Sequence, residues 1–436
     1  MAESTVSPFR VVIVGAGPVG LFLAHALSRA GIDYVILEQH DAVVRHQGAG
    51  TLVYPQTIRL LDQLGLWEKA GDYLADMLYQ SDLLVHNGRE IKTSSLWEVI
   101  GKNHAYPMAA FSRMQLVALL YENLPEIDKE TRIKTNVTVI DVESYDDRVK
   151  VFLRDGSAVD GSIVVGVDGV HSKTRQIMQR IAQSPPDTRP MLSTYRGLYG
   201  QLSSNAGLRP GTLYQSRAAG IVSQMMIGQN SGHFIVLRPV PNTAERRRYS
   251  EEERDDLAQE LSEIMVAPGV PFKNIWQLTL KKTAVIVDQE EGYCDKWYDG
   301  RVAIASDAAH KLTSVTGWGL NMGIHSVTVL ANELHSLLQS EPRPSTAAID
   351  QAFMRYQQLR SRETNGLYDV GRAMIRTVTW ETWSAWFFDR IINPWIGIDM
   401  IVDRFGKFIK RGQILSFVPF KDRLVQVPWE NQPPSF

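Results

Sequence analysis

The start of the chain places two short apolar runs on either side of a helical stretch. Val11–Val14 is a run of consecutive apolar residues, which is typical of a strand buried on both faces. Leu21–Ala30 predicts a helix whose alanines are small enough to pack closely on a sheet. Tyr34–Leu37 predicts a second strand. The pattern therefore indicates a strand–helix–strand unit with parallel strands.

The turn between the first strand and the helix carries a glycine motif. Gly15, Gly17 and Gly20 form Gly-x-Gly-x-x-Gly, and Glu38 stands at the end of the second strand, about twenty residues further on. Such glycines allow a tight turn, close approach of a pyrophosphate and close helix–strand packing. The motif predicts a dinucleotide site for FAD or NAD, because an acid at Glu38 repels the 2′-phosphate of NADP. The alternative is a purely structural turn.

A second polar cluster follows another apolar run later in the chain. Ile163–Val167 predicts a buried strand, and Asp168 and Gly169 come directly after it. Ser172 and Arg175 follow within one helical turn. This pattern is typical of a ligand-binding strand end, and equally of a helix start that is capped by a serine.

A third strand end has the same character. Gly300–Ala305 predicts a buried strand, and Ser306-Asp307 follows it. A glycine-containing loop, Gly317–Asn321, precedes a predicted helix, Met322–Leu338. A strand, an acid, a glycine loop and a helix start together favour an anion-tolerant site.

The segment between the second and third strand ends changes character. Residues 185–285 are rich in proline and in strand-like runs, which predicts a mostly antiparallel domain that covers a substrate cavity. The predicted strands are Thr194–Leu202, Gly220–Ile227, Gly232–Pro239 and Trp276–Val287.

The end of the chain is helical and then aromatic. Thr346–Thr377 predicts a long helix, and Trp380, Trp383 and Trp395 are among the aromatic residues that crowd the following segment. One interpretation is that these aromatics pack the tail onto the body. The alternatives are an apolar flap over the substrate and a contact with a membrane surface, helped by nearby lysines and arginine.

Charge and cysteine content narrow the classes of function. The 436 residues are 44% hydrophobic and carry a formal net charge of -2, so no nucleic-acid partner is expected. Cys294 is the one cysteine, which excludes a disulfide framework and a cysteine-based metal site. No run reaches the length of a membrane span, and the start of the chain does not resemble a signal peptide. We therefore expect a cytoplasmic protein, with membrane association left open by its C-terminal region.

The three strand ends, in this order, resemble the class A flavin monooxygenases of the para-hydroxybenzoate hydroxylase fold, over about residues 8–360. Leu61–Leu66 and Thr194–Gly200 further resemble fungal monooxygenases of terpenoid and indole-alkaloid pathways. The resemblance implies an α/β fold with a Rossmann-like FAD-binding domain, an interleaved antiparallel substrate domain and a helical C-terminal region. We place the FAD-binding domain at residues 1–75, 105–182 and 286–365. The substrate domain then takes 76–104 and 183–285, and the C-terminal region takes 366–436.

The resemblance also assigns residues to the cofactor. It implies that Gly15, Gly17, Gly20 and Glu38 bind the ADP half of FAD, and that Arg113, on the helix after Ser112, reaches the phosphate or ribityl region. Asp168 and Gly169 are expected near the pyrophosphate, where they also assist nicotinamide docking, and Asp307 is expected on a ribityl hydroxyl. Backbone N–H groups near the flavin pyrimidine edge are expected from Gly317, Gly319, Leu320 and Asn321.

One residue of the substrate domain receives a catalytic role. The Tyr-Arg position of Arg196 resembles that of fungal epoxidases, where a guanidinium facing the flavin would hydrogen-bond a peroxide or an epoxide oxygen. The alternative is a surface ion pair. The chain also departs from the family pattern. Ser306 replaces a glycine, Ser314 a proline and Ser326 an acid, while Arg45 or Gln47 stands in for an absent arginine.

The implied chemistry is oxygen insertion. NAD(P)H reduces FAD, O2 adds at flavin C4a, and the hydroperoxide epoxidises or hydroxylates an apolar polycyclic or prenylated secondary metabolite. Two alternatives stay open. One is a flavoprotein that catalyses oxidation, cyclisation or isomerisation without oxygen insertion. The other is a binding or escort protein without catalysis.

Overall fold

The computed structural model describes residues 9–45, 50–73, 76–85 and 87–432. Gln47, which the sequence offers as a substitute for the absent arginine, lies outside these residues. No helix within the described ranges is long and apolar enough to cross a membrane.

The secondary structure alternates between strands and helices along most of the chain. The strands are β1 (Arg10–Val14), β2 (Asp33–Leu37), β3 (Gly50–Val53), β4 (Asp76–Leu78), β5 (Gln80–Val85), β6 (Glu90–Ser94), β7 (Met108–Ser112), β8 (Ile133–Lys134), β9 (Val139–Ser144), β10 (Val149–Leu153), β11 (Ala158–Gly161), β12 (Ile163–Gly166), β13 (Arg189–Leu202), β14 (Thr212–Ala218), β15 (Ile221–Ile227), β16 (Gly232–Thr243), β17 (Met265–Ala267), β18 (Val270–Pro271), β19 (Val285–Tyr293), β20 (Tyr298–Asp299), β21 (Val302–Ile304) and β22 (His310–Lys311). The helices are α1 (Pro18–Ala30), α2 (Pro55–Gln63), α3 (Leu96–His104), α4 (Arg113–Glu122), α5 (Glu126–Arg132), α6 (Lys173–Ile181), α7 (Glu251–Glu260), α8 (Phe272–Gln277), α9 (Trp318–Ser340), α10 (Thr346–Val378), α11 (Trp383–Phe387) and α12 (Ile398–Ile409).

The first sheet confirms the predicted strand–helix–strand unit. Its strand order is β20-β21-β12-β1-β2-β8, and neighbours are parallel except for β20 and β21. The residues of β1 from Val11 to Val14 are buried, as a central parallel strand requires. Strands β1, β12 and β21 lie side by side, so the three polar strand ends meet at one edge of this sheet.

The second large sheet adjoins that edge through β22, which follows the third strand end. Its order is β22-β19-β13-β16-β15-β14-β5-β6, and β14–β5 is its one parallel pair along the described chain. The predicted strand Trp276–Val287 is wrong. Residues 272–277 form α8, because Phe272 packs edge-on against Phe234 of the sheet, at 5.2 Å between ring centres. The strand of this region, β19, begins only at Val285.

Two helices differ in extent from their predictions. Helix α9 begins at Trp318, earlier than the predicted Met322, so Gly319–Asn321 lie in its first turn and not in a loop. Gly317 makes this early start feasible, because its φ of 66° lies in the left-handed region that favours glycine. Helix α10 runs unbroken through the predicted domain boundary at 365/366 and packs along α9.

The aromatic tail is only partly packed. Phe405 and Phe408 of α12 lie against Trp318, with ring centres 6.0 and 5.7 Å apart. By contrast, Trp383 is 73% exposed and Trp395 is 87% exposed. The interpretation that the aromatics serve as core is therefore wrong for the segment around α11.

Buried histidines make the fold sensitive to acid. Burial lowers the pKa of His25, His104 and His233 to about 4 and that of His310 to about 3. Below about pH 6.5 these histidines are therefore protonated in the unfolded chain while they stay neutral in the folded one. We expect each histidine to remove about 1.4 kcal/mol of stability per pH unit between pH 6.5 and 4.

Urea unfolding at pH 7, 6 and 5 measures this effect. The midpoint should fall steeply over the series at constant ionic strength. A midpoint that stays level down to pH 5 would contradict the assignment of these imidazoles as neutral and buried.

Candidate cofactor site

Packing explains two of the three glycines in the first turn. Gly15 has a φ of 110°, and its N–H donates to Leu37 O at 2.9 Å. A methyl group there would lie 2.9 Å from Val167 O, and one at Gly20 would lie 2.1 Å from Gly15 O. Strands β1 and β12 and helix α1 therefore meet too closely for any side chain at either position.

Gly17 is different, because it faces open space. A methyl group there would meet one atom at the edge of contact, Arg113 Nη2 at 3.9 Å. Gly17 is also the residue before the first turn of α1, whose N–H groups lack partners within the helix. The open backbone, the helix N-terminus and the guanidinium above it fit an anionic pyrophosphate.

Arg113 reaches this position because of a local cap. Ser112 ends β7 and caps α4, accepting from Gln115 N–H at 3.1 Å, while the Gln115 side chain accepts from Ser112 N–H at 3.0 Å. This reciprocal capping box fixes the first residue of the helix, and that residue is Arg113. The expected placement of Arg113 on the helix after Ser112 is confirmed.

Glu38 lies at the end of β2, buried beside the glycine turn. Its carboxylate accepts from Ala16 N–H at 2.8 Å and from His40 N–H at 3.0 Å. The carboxylate thus ties the turn to the second strand. Since a carboxylate has about four lone-pair sites, capacity remains for a ribose hydroxyl, and that role stays a prediction.

Asp168 lies beside the glycine turn, but its carboxylate points into a helix. Its Cα is 3.2 Å from the Cβ position of Gly15. Its oxygens accept from Thr174 N–H at 3.0 Å and from the hydroxyl groups of Thr174 and Ser172. The helix-start interpretation therefore describes its side chain, while its backbone lies directly against the glycine turn.

Arg175 joins the second strand end to the third. Its guanidinium donates to Val170 O at 2.7 Å and to Ala308 O at 3.0 Å. The two loops are therefore held in one position relative to each other by a charged, branched donor.

Asp307 is the acid of the third strand end. Its side chain is 31% exposed, accepts from Lys311 Nζ at 2.6 Å, and lies 3.8 Å from the Cβ position of Gly319. Burial works to raise the pKa of this carboxyl, but the charge and hydrogen bond of Lys311, helped by His310 and Arg113, outweigh it and hold the pKa below its ordinary value. An ionised acceptor therefore faces the start of α9, as a ribityl hydroxyl requires.

Ser306 occupies the position at which the family pattern has glycine. Its φ of 61° is the left-handed conformation that glycine adopts readily. Gly323 of α9 lies beside it, and a methyl group on Gly323 would come within 2.5 Å of Ser306 Oγ and 2.9 Å of Val19 Cγ2. Sequence reasoning missed Gly323; its signal is a lone small residue on the buried face of a long helix.

The start of α9 is fixed by hydrogen bonds from two side chains. Tyr54 donates from its hydroxyl to Thr316 O at 2.7 Å. The Asn321 amide donates to Gly317 O at 2.8 Å and to Leu52 O at 2.9 Å, and accepts from Tyr54 N–H. The amide group of the Asn321 side chain is thus hydrogen-bonded within the protein, so only the backbone of this residue is available to a flavin. Sequence reasoning also missed Tyr54.

Arg196 lies away from this cleft. Its Nε is 3.4 Å from Asp288 Oδ1, and its guanidinium carbon is 4.5 Å from the ring centre of Tyr249. Tyr199 points to the opposite face of β13, where its hydroxyl contacts Ser314 near the start of α9. The sheet therefore separates Arg196 from the predicted flavin edge, which favours the ion-pair interpretation over the catalytic one.

Comparison with known proteins assigns the family. The profile of a family described as "FAD binding domain" matches residues 9–350. The chain belongs to the FAD binding domain family. FAD is thus its cofactor, and the predicted fold class is confirmed. The match includes all three strand ends, whereas the aromatic tail lies beyond it.

Relatives extend the likeness to the tail. The FAD-dependent monooxygenase srdH of Neurospora crassa is 41% identical over 449 residues, covering 97% of this chain and 99% of that protein. The FAD-dependent monooxygenase cdmI of Talaromyces verruculosus is 31% identical and covers 95% and 88%. The chain is therefore an oxidoreductase of the FAD-dependent monooxygenases, and the predicted resemblance is confirmed.

A solved structure shows the same fold. HpxO of Klebsiella pneumoniae, in complex with FAD and uric acid, has a TM-score of 0.78 at 18% identity and covers 92% of this chain and 96% of that chain. At this identity the likeness concerns the fold alone.

The placement of Arg196 gives a test. We expect Arg196→Ala to leave FAD affinity and substrate-dependent NAD(P)H oxidation within about twofold, because its partners Asp288 and Tyr249 lie on the far face of the sheet. Fluorescence titration with FAD and stopped-flow absorbance measure the two quantities. A loss of turnover above tenfold in a variant that still binds FAD would restore the catalytic interpretation.

Proposed function

We propose that this protein is an NAD(P)H-dependent FAD monooxygenase that uses O2 to epoxidise or hydroxylate an apolar polycyclic or prenylated secondary metabolite. The observation that carries the proposal is the open Gly17 backbone, bordered by the α1 N-terminus and the Arg113 guanidinium. When bound, FAD supplies the redox chemistry and the activation of oxygen. The protein supplies binding, orientation and a dry environment.

The cofactor residues receive the following proposed roles. Gly15, Gly17, Gly20 and Glu38 hold the ADP half, Arg113 neutralises phosphate charge, and the Asp168 backbone closes the cleft beside Gly15. Asp307 accepts from a ribityl hydroxyl. The N–H groups of Gly319 and Leu320 are free of helical partners in the first turn of α9, and with the backbone of Asn321 they face the pyrimidine edge in this proposal. There they stabilise negative charge on the reduced ring. Gly317 positions these N–H groups, since its own N–H donates to Ser314 O at 3.0 Å.

The inner face of the second sheet is the proposed cover of the substrate. Around Tyr199 this face presents Val222, Ile235 and Leu237, which are buried together with Val315 of the turn before α9 and with Ile375 and Val378 of α10. Apolar side chains at this position favour an apolar substrate and exclude water from the reacting atoms.

A labelling experiment tests the proposal. Purified protein is supplied with NAD(P)H, candidate prenylated or polycyclic metabolites and ¹⁸O₂, and products are analysed by mass spectrometry. We expect substrate-dependent oxidation of NAD(P)H and one labelled atom in the product. Turnover without label would support a flavoprotein that does not insert oxygen. Bound FAD without any turnover would support a binding or escort role.

The exposed aromatic segment supports a second element of the proposal, a weak contact with a membrane surface. Large apolar side chains in this segment are 38% to 87% exposed, and these are Trp383, Trp386, Phe387, Phe388, Ile391, Ile392, Trp395 and Met400. Contiguous exposed apolar surface of this kind is unusual in a monomer, and tryptophan favours the lipid–water boundary. Apolar substrates also concentrate in lipid.

Sedimentation with phosphatidylcholine and phosphatidylserine vesicles tests this contact. We expect the wild type to sediment and the Trp383→Ser, Trp395→Ser double variant to remain in solution with unchanged FAD content. Equal sedimentation of both proteins would contradict the contact. Concentration-dependent self-association that the same variant abolishes would assign the surface to a second copy instead.

A further inference from the structure

Ser314, which replaces the proline of the family pattern, is hydrogen-bonded to the second sheet. Its N–H donates to Gln289 Oε1 at 3.2 Å, and its hydroxyl donates to the same oxygen at 2.9 Å. Since its one hydroxyl proton is used there, the Tyr199 hydroxyl donates to Ser314 Oγ, at 2.7 Å. Gln289 belongs to β19 and Tyr199 to β13.

The backbone does not require serine at this position. Thr313 is extended, with φ of -60° and ψ of 150°, and Ser314 is the first residue of a short 3₁₀ turn that ends at Thr316. An extended residue followed by the first residue of a helical turn is the setting in which proline fits well. The hydrogen bonds of Ser314 are therefore an addition that a proline in the same backbone would lack.

The next residues of the turn are held as well. Gln224 of β15 donates to Val315 O at 2.9 Å. From the cofactor side, Tyr54 donates to Thr316 O and Asn321 to Gly317 O. Side chains thus bind each residue from 314 to 317, the first two from the second sheet and the last two from the FAD-binding unit. We call residues 314–317 the joint.

The joint ends where α9 begins. Gly317 is both its last residue and the residue that precedes the helix, so a shift of the joint moves the free N–H groups of Gly319 and Leu320 directly. The sheet that covers the substrate is therefore mechanically connected to the groups that face the proposed flavin edge.

We propose that Ser314 and Tyr199 are positioning residues, which couple the substrate-covering sheet to the first turn of α9 and so set how strongly that turn stabilises the reduced flavin. This inference rests on the proposed function of α9 at the flavin edge. The stabilisation depends on donor placement within a few tenths of an ångström, as it does for other preorganised donors. Loosening the joint weakens binding of the reduced flavin more than binding of the oxidised one.

The reduction potential of the bound flavin is the decisive measurement, because a purely structural role would not change it selectively. We expect Ser314→Ala and Tyr199→Phe to lower the affinity for reduced FAD about tenfold relative to oxidised FAD, a decrease of about 30 mV. Hydrogen exchange of the peptide that spans residues 312–322 should become faster in the same variants. Ser314→Pro should lower the potential as Ser314→Ala does, although its backbone is stiff.

A matched control lies on the same strand and face. Tyr195→Phe also removes a phenolic hydroxyl from a buried side chain, but this hydroxyl bonds to Glu381 and not to the joint. The reduction potential of the flavin and the hydrogen exchange of residues 312–322 should therefore remain those of the wild type. The inference is overturned by a wild-type potential in Ser314→Ala and Tyr199→Phe, by a wild-type potential in Ser314→Pro, or by an equal shift in Tyr195→Phe. A wild type that binds no FAD would refute the proposed function, and hydrogen exchange would still decide whether the joint exists.

Discussion

Gly17→Ala is expected to lose FAD binding by at least about 100-fold, about 2.8 kcal/mol, while the protein keeps its stability. The added methyl group meets no protein atom closer than 3.9 Å, so the fold accepts it. It does, however, occupy the approach that the pyrophosphate requires over the turn. Fluorescence titration with FAD and thermal unfolding of the cofactor-free protein give the two quantities.

Alanine variants of two other glycines serve as controls for this result. In Gly20→Ala the methyl group would lie 2.1 Å from Gly15 O, so stability and FAD binding should fall together. In Gly366→Ala, within α10, no atom lies within 4 Å, and both quantities should be those of the wild type or slightly improved. If Gly17→Ala bound FAD as the wild type does, the pyrophosphate would have to lie elsewhere.

Asp389→Ala is expected to destabilise the protein by about 3–5 kcal/mol. Asp389 is 1% exposed and pairs with Arg217 of β14, which is 8% exposed. It also accepts from Trp380 Nε1 at 2.8 Å and from Asn393 Nδ2 at 3.2 Å. Removing the carboxylate leaves a buried guanidinium without its counter-charge and frees the aromatic segment from the sheet.

Denaturant unfolding compares this variant with an exposed pair. Arg238→Ala breaks the ion pair with Glu260, whose side chains are 45% and 62% exposed, and no measurable change is expected. Equal, small effects in both variants would show that the aromatic segment is held by something other than Asp389.

The sequence predicts well those features of the fold that depend on residues close together along the chain. The glycine motif, its flanking strands and the Ser112 cap follow from local sterics and local hydrogen bonds, so the conformation of the glycine turn was predictable. The structure places the three strand ends on adjacent parallel strands, whereas the sequence joined them into one site only through the family resemblance. The predicted antiparallel sheet was also found, apart from the helix at 272–277, where packing of Phe272 on Phe234 outweighs the strand-like pattern. Its role as the cover of a substrate stays a prediction.

What the sequence could not predict depends on partners that are distant in the chain. Tyr54 and Asn321 are 267 positions apart in the chain, and no local sequence pattern predicts the hydrogen bond between them. The face on which Arg196 points depends on the register between β13 and β19, which sets it opposite Asp288. The same holds for the Asp168 side chain, whose direction is decided by which hydroxyl groups follow it.

The aromatic segment shows a different limit. Composition identifies many large apolar side chains, but burial depends on whether another surface covers them. Here Phe405 and Phe408 find Trp318, whereas Trp383 and Trp395 extend into solvent. The sequence pattern alone does not distinguish the aromatic side chains that become buried from those that stay exposed.

The cofactor content of the purified protein decides whether the three strand ends form a flavin site. We expect one FAD per chain, measured by absorbance of the flavin released on denaturation, and saturable uptake of FAD by protein stripped of cofactor. A protein that is colourless as purified and takes up no FAD on titration would contradict the account of how the three strand ends and the start of α9 form one binding site.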